Sequence, residues 1–213
     1  MEFIDKKLSD YCEEHTSQET DVLKKLNRET HLKVVSPRML SGHLQGRFLS
    51  FISKLHKPKF ILEIGTYTGY SALCLVEGLT NDGQLISIDV NEETSAFAKN
   101  IISQTEFDSK INLIVDDAKT YIPTITQKID IVFIDADKKN YLTYYHLIID
   151  KLNSGGLIIA DNVLWSGKIT MPVEEMDRET KALHDFNCFV QQDDRVENML
   201  LPIRDGLMMM RKK

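Results

Sequence analysis

The sequence predicts an α/β fold in which a mostly parallel sheet carries helices on both faces and ends in an antiparallel hairpin. Three observations predict it. Between residues 60 and 161, short runs of Ile, Leu and Val alternate with amphipathic stretches, the pattern of strands buried on both faces and joined by crossover helices. Residues 1–57 instead repeat their apolar positions at three- and four-residue steps, which is helical periodicity. Near the end, two strand-like segments meet at an Asp-Gly pair, a combination that favours a tight turn.

In the first part, Leu23 and Leu26 belong to one periodic stretch, and Met39, Leu44, Phe48, Leu49, Phe51 and Leu55 to another. Ser36-Pro37 separates them, because proline disfavours helix at the residue before it. FILEIG, QLISID, INLIVDD, IDIVFID and GGLIIAD follow as strand candidates, with YSALCLVEGL, EETSAFAKNIIS and YLTYYHLIIDKL as helices among them. A further helix is expected around 179–192, and then RVENMLLPI and GLMMMRKK as the hairpin, seven strands in all. Without repeats or linkers, the expected organisation is one domain over 1–213, with 1–57 a helical cap and 58–213 the α/β core.

A chain of 213 residues suffices for one sizeable core, and 42% hydrophobic with 27% charged residues excludes a disordered chain. The net charge of −6 argues against a nucleic-acid partner. No apolar run approaches the roughly 20 residues that span a bilayer, and MEFIDKKLSDYCEEH has no signal-peptide core. The expectation is a cytoplasmic chain without a membrane partner. Cys12, Cys74 and Cys188 form no CxxC pair, so neither a disulfide nor a zinc site is indicated, and Cys74 and Cys188 are expected as small core residues.

In open α/β sheets ligands bind beyond the carboxyl ends of the strands. The first such loop is Glu63-Ile64-Gly65-Thr66-Tyr67-Thr68-Gly69-Tyr70-Ser71. Its glycines are spaced GxxxG, unlike the GxGxxG turn that accommodates a pyrophosphate, and Glu63 suits a cationic amino-acid moiety better than a diphosphate. A glycine turn that merely joins strand to helix is the alternative. Asp89 ends the second strand, roughly 20 residues on, where an acidic group accepts the ribose hydroxyls of an adenosine. Asp116-Asp117-Ala118 follow the third strand, where adenine would lie, although both aspartates serve equally well as helix caps.

Asp135 follows the fourth strand, and Asp161-Asn162 the fifth. A single aspartate at a strand end is more often a cap than a ligand. From adjacent strand ends, however, these residues offer two carboxylates and an amide oxygen, a hard donor set suited to Mg²⁺, with Mn²⁺ or Ca²⁺ as alternatives.

The segments LEIGTYTGYS, ISID, DAKT, FIDADKKNY and IADNVLWSG resemble, in order and interval, the bacterial and plant caffeoyl-CoA O-methyltransferase-like proteins, relatives of animal catechol O-methyltransferase. The resemblance spans nearly the whole chain, and IDADKKNY paired with DNVLWSG is its specific part. It implies a Rossmann-like class I methyltransferase fold, S-adenosylmethionine and a divalent metal as cofactors, a small aromatic diol as substrate, and a homodimer. SPRMLSGHLQGRFLSFI resembles the family's N-terminal helix, whose preceding loop covers the methionine end of the cofactor. The implied cofactor set is Met39, Ser41, Glu63, Gly65, Thr66, Tyr67, Ser71, Asp89, Ala118 and Asp135; the metal set is Asp135, Asp161 and Asn162. Lys138 is the implied catalytic base, its pKa depressed by the cation it is held near, and it shares the substrate with Trp165. Tyr141 is a second candidate wall for a flat ring, with ordinary packing as its alternative.

Animal catechol enzymes place an acidic residue shortly before the terminal turn, but residues 198–204 here offer no carboxylate. Strict regioselectivity is therefore not implied. The loop at 168–177 is where such proteins vary their acceptor, and Arg38, Arg47, Lys168 and Arg204 are basic candidates for a CoA thioester. Two rival readings share parts of the pattern. A nicotinamide-dependent oxidoreductase is disfavoured by the glycine spacing and the oxygen donor set. The other rival is a catalytically silent S-adenosylmethionine-binding protein.

Overall fold

The computed structural model describes residues 4–213, so the first three residues of the expected cap lie outside the described residues. Helices α1 (Lys6–Glu14), α2 (Asp21–Lys33) and α3 (Gly42–His56) come first. The sheet region runs β1 (Phe60–Ile64), α4 (Tyr70–Val76), β2 (Gln84–Asp89), α5 (Glu92–Ile102), β3 (Ile111–Val115), α6 (Ala118–Tyr121), β4 (Ile129–Ile134), α7 (Tyr141–Ile148) and β5 (Leu152–Asp161). Helix α8 (Arg178–Gln192) and strands β6 (Val196–Leu201) and β7 (Leu207–Lys212) complete it. The sheet has seven strands in the order β3-β2-β1-β4-β5-β7-β6. The first five are parallel, and β7 runs antiparallel to both β5 and β6. This is the predicted fold class.

Each central strand feeds two cores, because successive side chains leave a strand on opposite faces. Leu62, Val132 and Ile134 enter the cluster under α7 and α8, while Ile61 and Phe133 enter the one under α4 and α5. Leu23, Leu26 and Leu49 of α2 and α3 belong to the second cluster, so the N-terminal helices share the core of the sheet. Among the described residues, no helix is long and apolar enough to cross a membrane.

The register sets up everything that follows. Ile64 pairs with Ile88 and Ile134, and Ile134 pairs with Ala160. The strands end nearly flush, so Gly65, Asp89, Asp135 and Asp161 emerge along one edge.

Three details depart from expectation. Strand β5 starts at Leu152, ahead of its apolar run, because the pairing with β4 shifts between Ile129 and Ile131; Gly155, at φ +77°, lies within that irregular stretch. Cys188 is exposed rather than part of the core. The buried face of α8 is Thr180, Leu183, Phe186 and Val190, and Cys188 lies off it. The tight turn at Arg204-Asp205-Gly206 is present, the Gly206 N–H donating to the Ile203 carbonyl at 2.9 Å, but β6 ends at Leu201, short of the expected Pro202-Ile203.

Candidate active site

A cavity of about 1560 Å³ opens over the carboxyl ends of β1, β2, β4 and β5. Gly65, Thr66, Tyr67, Asp89 and Ala118 lie on its wall, as do Asp135, Lys138, Asp161, Asn162 and Trp165. Gly65 has φ +103°, and a Cβ there would sit 2.1 Å from the Asp135 carbonyl oxygen. The crossing β4 loop therefore already demands glycine, before any ligand does. Beside it, the Tyr67 N–H donates to Asp89 Oδ2 at 2.8 Å and the Asn91 N–H to Oδ1 at 2.9 Å. Both bonds aim the carboxylate and leave each oxygen able to accept again.

The Tyr67 hydroxyl donates to the carbonyls of Val35 and Ser36 at 3.2 Å, tying the segment before α3 over the cavity. That segment brings exposed Met39 and buried Ser41 to the wall, opposite Ser71 in the first turn of α4. Asp117 caps α6, accepting the Lys119 N–H at 2.8 Å, so the capping alternative describes its contacts. Glu63 is placed differently from the rest of the expected set. It lies fully buried beneath the glycine turn and not on the wall, with Ser87 donating to Oε2 and no hydrogen-bond partner for Oε1. Burial pushes its carboxyl up to about 7, against the opposing pull of the Ser71 and Ser87 hydroxyls.

Asp135 and Asp161 directly follow the paired Ile134 and Ala160 on neighbouring parallel strands, which run roughly 4.8 Å apart. Asp161 is 2% exposed; Gln45 Nε2 donates to its Oδ2 and the Asn162 N–H to its Oδ1, both at 2.7 Å. Asn162 takes φ +58°, a left-handed conformation that asparagine tolerates. Burial, with the Asp135 charge added, pushes the Asp161 carboxyl up to about 6. Two carboxylates crowded in this way, with an amide alongside, fit a hard divalent cation. Among the described residues no three His, Cys, Asp or Glu side chains form such a group, so any cation here draws on the amide as well.

Lys138 is nearly buried, and its Nζ donates to Asp135 Oδ1 at 2.9 Å and to the Tyr141 hydroxyl at 2.7 Å. The expected depression is tied to a bound cation; among the residues alone the balance runs the other way. Burial disfavours the ammonium, but Tyr141 and Asp135 together outweigh it and hold the pKa above lysine's ordinary value. Tyr141 is not a wall either. It is wholly buried against Phe186, and its hydroxyl donates to the Asp161 carbonyl at 3.0 Å while accepting from Lys138.

The far end of the cavity is formed by the loop after β5, where Trp165, Ser166 and Gly167 all adopt positive φ. Trp165 is half-buried, on the wall and against the α7–α8 core. The β6–β7 turn clamps this loop. The Val163 N–H donates to the Gly206 carbonyl at 3.1 Å and the Leu164 N–H to the Asp205 carbonyl at 2.9 Å.

A family model described as O-methyltransferase matches residues 13–213 of the chain. The chain belongs to this family of S-adenosylmethionine-dependent O-methyltransferases. The caffeoyl-CoA O-methyltransferase of Stellaria longipes is 32% identical over 205 residues, covering 92% of this chain and 85% of that protein. Caffeoyl-CoA O-methyltransferase 1 of Nicotiana tabacum is 33% identical over 209 residues, covering 92% and 86%. The SAH-bound methyltransferase PaMTH1 of Podospora anserina superposes with a TM-score of 0.89 at 28% identity, covering 97% of this chain and 94% of its own. Membership in this family removes the oxidoreductase reading.

Other parts of the O-methyltransferase site were not legible in the motifs. Gln45, which bonds Asp161, lies on the buried face of α3 with Gly46, Leu49 and Ser53; a lone amide on that face was the available signal. Of the basic candidates, Arg47 points away into an ion pair with Glu77 at 2.7 Å, and Lys168 pairs with Asp177 at 3.0 Å. Arg38 and Arg204 do line the cavity.

Proposed function

We propose that this O-methyltransferase moves the methyl group of S-adenosylmethionine onto one hydroxyl of a small vicinal aromatic diol, with a divalent cation held by Asp135, Asp161 and Asn162. The observation that carries the reading is the register of β4 and β5. It brings Asp135 and Asp161 side by side between the two ends of the cavity, with Lys138 Nζ 2.9 Å from Asp135.

At the donor end, Asp89 faces the ribose hydroxyls and Ala118 borders the adenine. Met39, Ser41, Gly65, Thr66, Tyr67, Ser71 and Asp135 enclose the methionine end, and Glu63 acts from beneath through its charge. The SAH bound to PaMTH1 supports this cofactor. The cation, Mg²⁺ by the oxygen-only donor set and Mn²⁺ or Ca²⁺ by substitution, supplies the charge that lowers the pKa of a hydroxyl. Lys138 Nζ accepts the hydroxyl proton in its neutral form. Tyr141 and Asp135 favour the ammonium, and a cation held by Asp135 would oppose that carboxylate's hold and favour the neutral amine.

As the acceptor oxygen bonds to the methyl carbon, the carbon–sulfonium bond breaks and opposite charges cancel, a step favoured where water is excluded. Trp165 offers the flat wall for the ring. Much of the remaining acceleration is positioning.

The test is methyl transfer from labelled S-adenosylmethionine to caffeic acid or catechol, with Mg²⁺ or with excess EDTA. Transfer to the diol only with Mg²⁺, and none to a monophenol, is expected. Transfer that survives EDTA overturns the metal assignment. No transfer to either diol overturns the acceptor class. Residues 1–57 and 58–213 are proposed as one domain on the strength of their shared core. A homodimer through α1 and α3, which expose Leu8, Tyr11, Phe51 and Leu55, is proposed with it. Sedimentation as a monomer would overturn the dimer.

A further inference from the structure

Arg204 stands in the β6–β7 turn with φ +51°, a left-handed conformation natural to glycine and costly for an arginine. Non-glycine residues persist there when surrounding contacts hold them, and such outliers gather at functional sites. The contacts here are specific. Arg204 Nη1 donates to the Ser41 carbonyl and lies 3.3 Å from Gln45 Oε1.

Gln45 is fully buried, and its amide is thereby oriented. With Oε1 turned to a guanidinium, the NH₂ group faces the other way and donates to Asp161 Oδ2 at 2.7 Å. The Asn162 N–H secures the second Asp161 oxygen at 2.7 Å. The turn that carries Arg204 also clamps the loop bearing Trp165, and a Cβ on Gly206 would meet Leu164 Cγ at 2.4 Å. One turn therefore touches the donor wall at Ser41, the Trp165 loop at Leu164 and, through one amide, the Asp161 carboxylate between them.

We propose that Arg204 and Gln45 are positioning residues of the methyl-transfer site: Arg204 fixes the Gln45 amide, and Gln45 aims the Asp161 carboxylate at the cation. The inference rests on the proposed metal set. Partners that orient a metal ligand are worth on the order of 10- to 100-fold in metal affinity.

The test is Mn²⁺ binding to the full chain without acceptor, read from the electron paramagnetic resonance of free Mn²⁺. Gln45→Met keeps the volume and removes both hydrogen bonds; its Kd is expected to rise at least about tenfold. Arg204→Gly suits the left-handed position, so the turn persists. A severalfold weaker Kd with an unchanged or higher Tm is expected, partly restored in Arg204→Lys. The double variant should bind no more weakly than Gln45→Met alone, because Arg204 acts through Gln45; a merely structural turn would give additive losses or none. Affinity within about twofold of the parent in both single variants overturns the inference, and additive losses overturn the route through Gln45. If Gln45→Met fails to fold, Arg204→Gly decides alone. Parent binding equal to that of Asp161→Ala would instead remove the metal site itself, and this inference with it.

Discussion

At the donor end of the cavity, Gly65 and Tyr67 sit on the short turn after β1 and Asp89 ends β2, and their backbone bonds reach only to neighbouring strand ends. At the acceptor end, Trp165 hangs on a loop shaped by a turn far along the chain, where the Ser166 N–H meets Asp205, 39 residues away. Apart from the segment before α3 that Tyr67 ties over it, the first end is local and gains its geometry from the strand-to-helix crossing itself. The second is assembled from segments that only the finished sheet brings together. A substitution at the donor end should therefore disturb donor binding alone. One at the acceptor end, or between the two, should alter turnover or acceptor binding while the donor still binds.

The largest separation is expected at the junction. Asp161→Ala should lower turnover on the order of 1000-fold, the scale of the several kcal/mol that a catalytic metal supplies. Calorimetric affinity for S-adenosylhomocysteine should change little, and an equal loss in both would merge the two ends into one unit. Lys138→Met follows, with kcat down on the order of 100-fold, as for a lost general base. Its Tm should fall, since removing one partner of the pair leaves the Asp135 carboxylate without its cation and the Tyr141 hydroxyl without its donor. Unchanged kcat would remove Lys138 from the chemistry.

At the acceptor end itself, Trp165→Ala should raise the KM for a catechol about tenfold, the loss of one aromatic contact. Gly206→Ala should act on the same KM from a distance by displacing Leu164. A change in donor affinity instead of acceptor KM would show that the β6–β7 turn serves the wrong end.

The same contrast explains what could be read in advance. FILEIG, QLISID and IDIVFID announce themselves because strands buried on both faces must be apolar throughout. Asp89, Asp135 and Asp161 follow directly, since any residue just past such a strand reaches the binding edge. Gln45 and Arg204 do not, because their contacts join residues 116 and 159 positions apart, and no local pattern encodes such a distance. The balance of charges that sets the Lys138 pKa is hidden for a related reason. Burial alone would depress it, and only the folded geometry shows Asp135 and the Tyr141 hydroxyl both within hydrogen-bond reach.

The smallest effect belongs to Glu63, and it tests whether the donor end is as local as it looks. Its carboxyl is raised from about 4.5 to about 7, so the folded chain holds this proton more tightly than the unfolded one. The stability it contributes is fully present below about 4.5 and is lost as pH rises through about 7. The loss between pH 6 and pH 7 is on the order of 1 kcal/mol. Asp161, raised to about 6, slopes the same way, so the informative quantity is the parent minus Glu63→Gln, measured by denaturant melts across that window. Glu63→Gln should flatten the slope, and an unchanged slope would assign the titration elsewhere. With S-adenosylhomocysteine bound, a cationic amine above the glycine turn would favour the ionised carboxylate and bring its pKa back down. The parent's slope should then flatten as well, making the stabilisation by this ligand grow as pH rises. A stabilisation that does not grow would leave Glu63 a buried acid beneath the turn with no part in holding the donor.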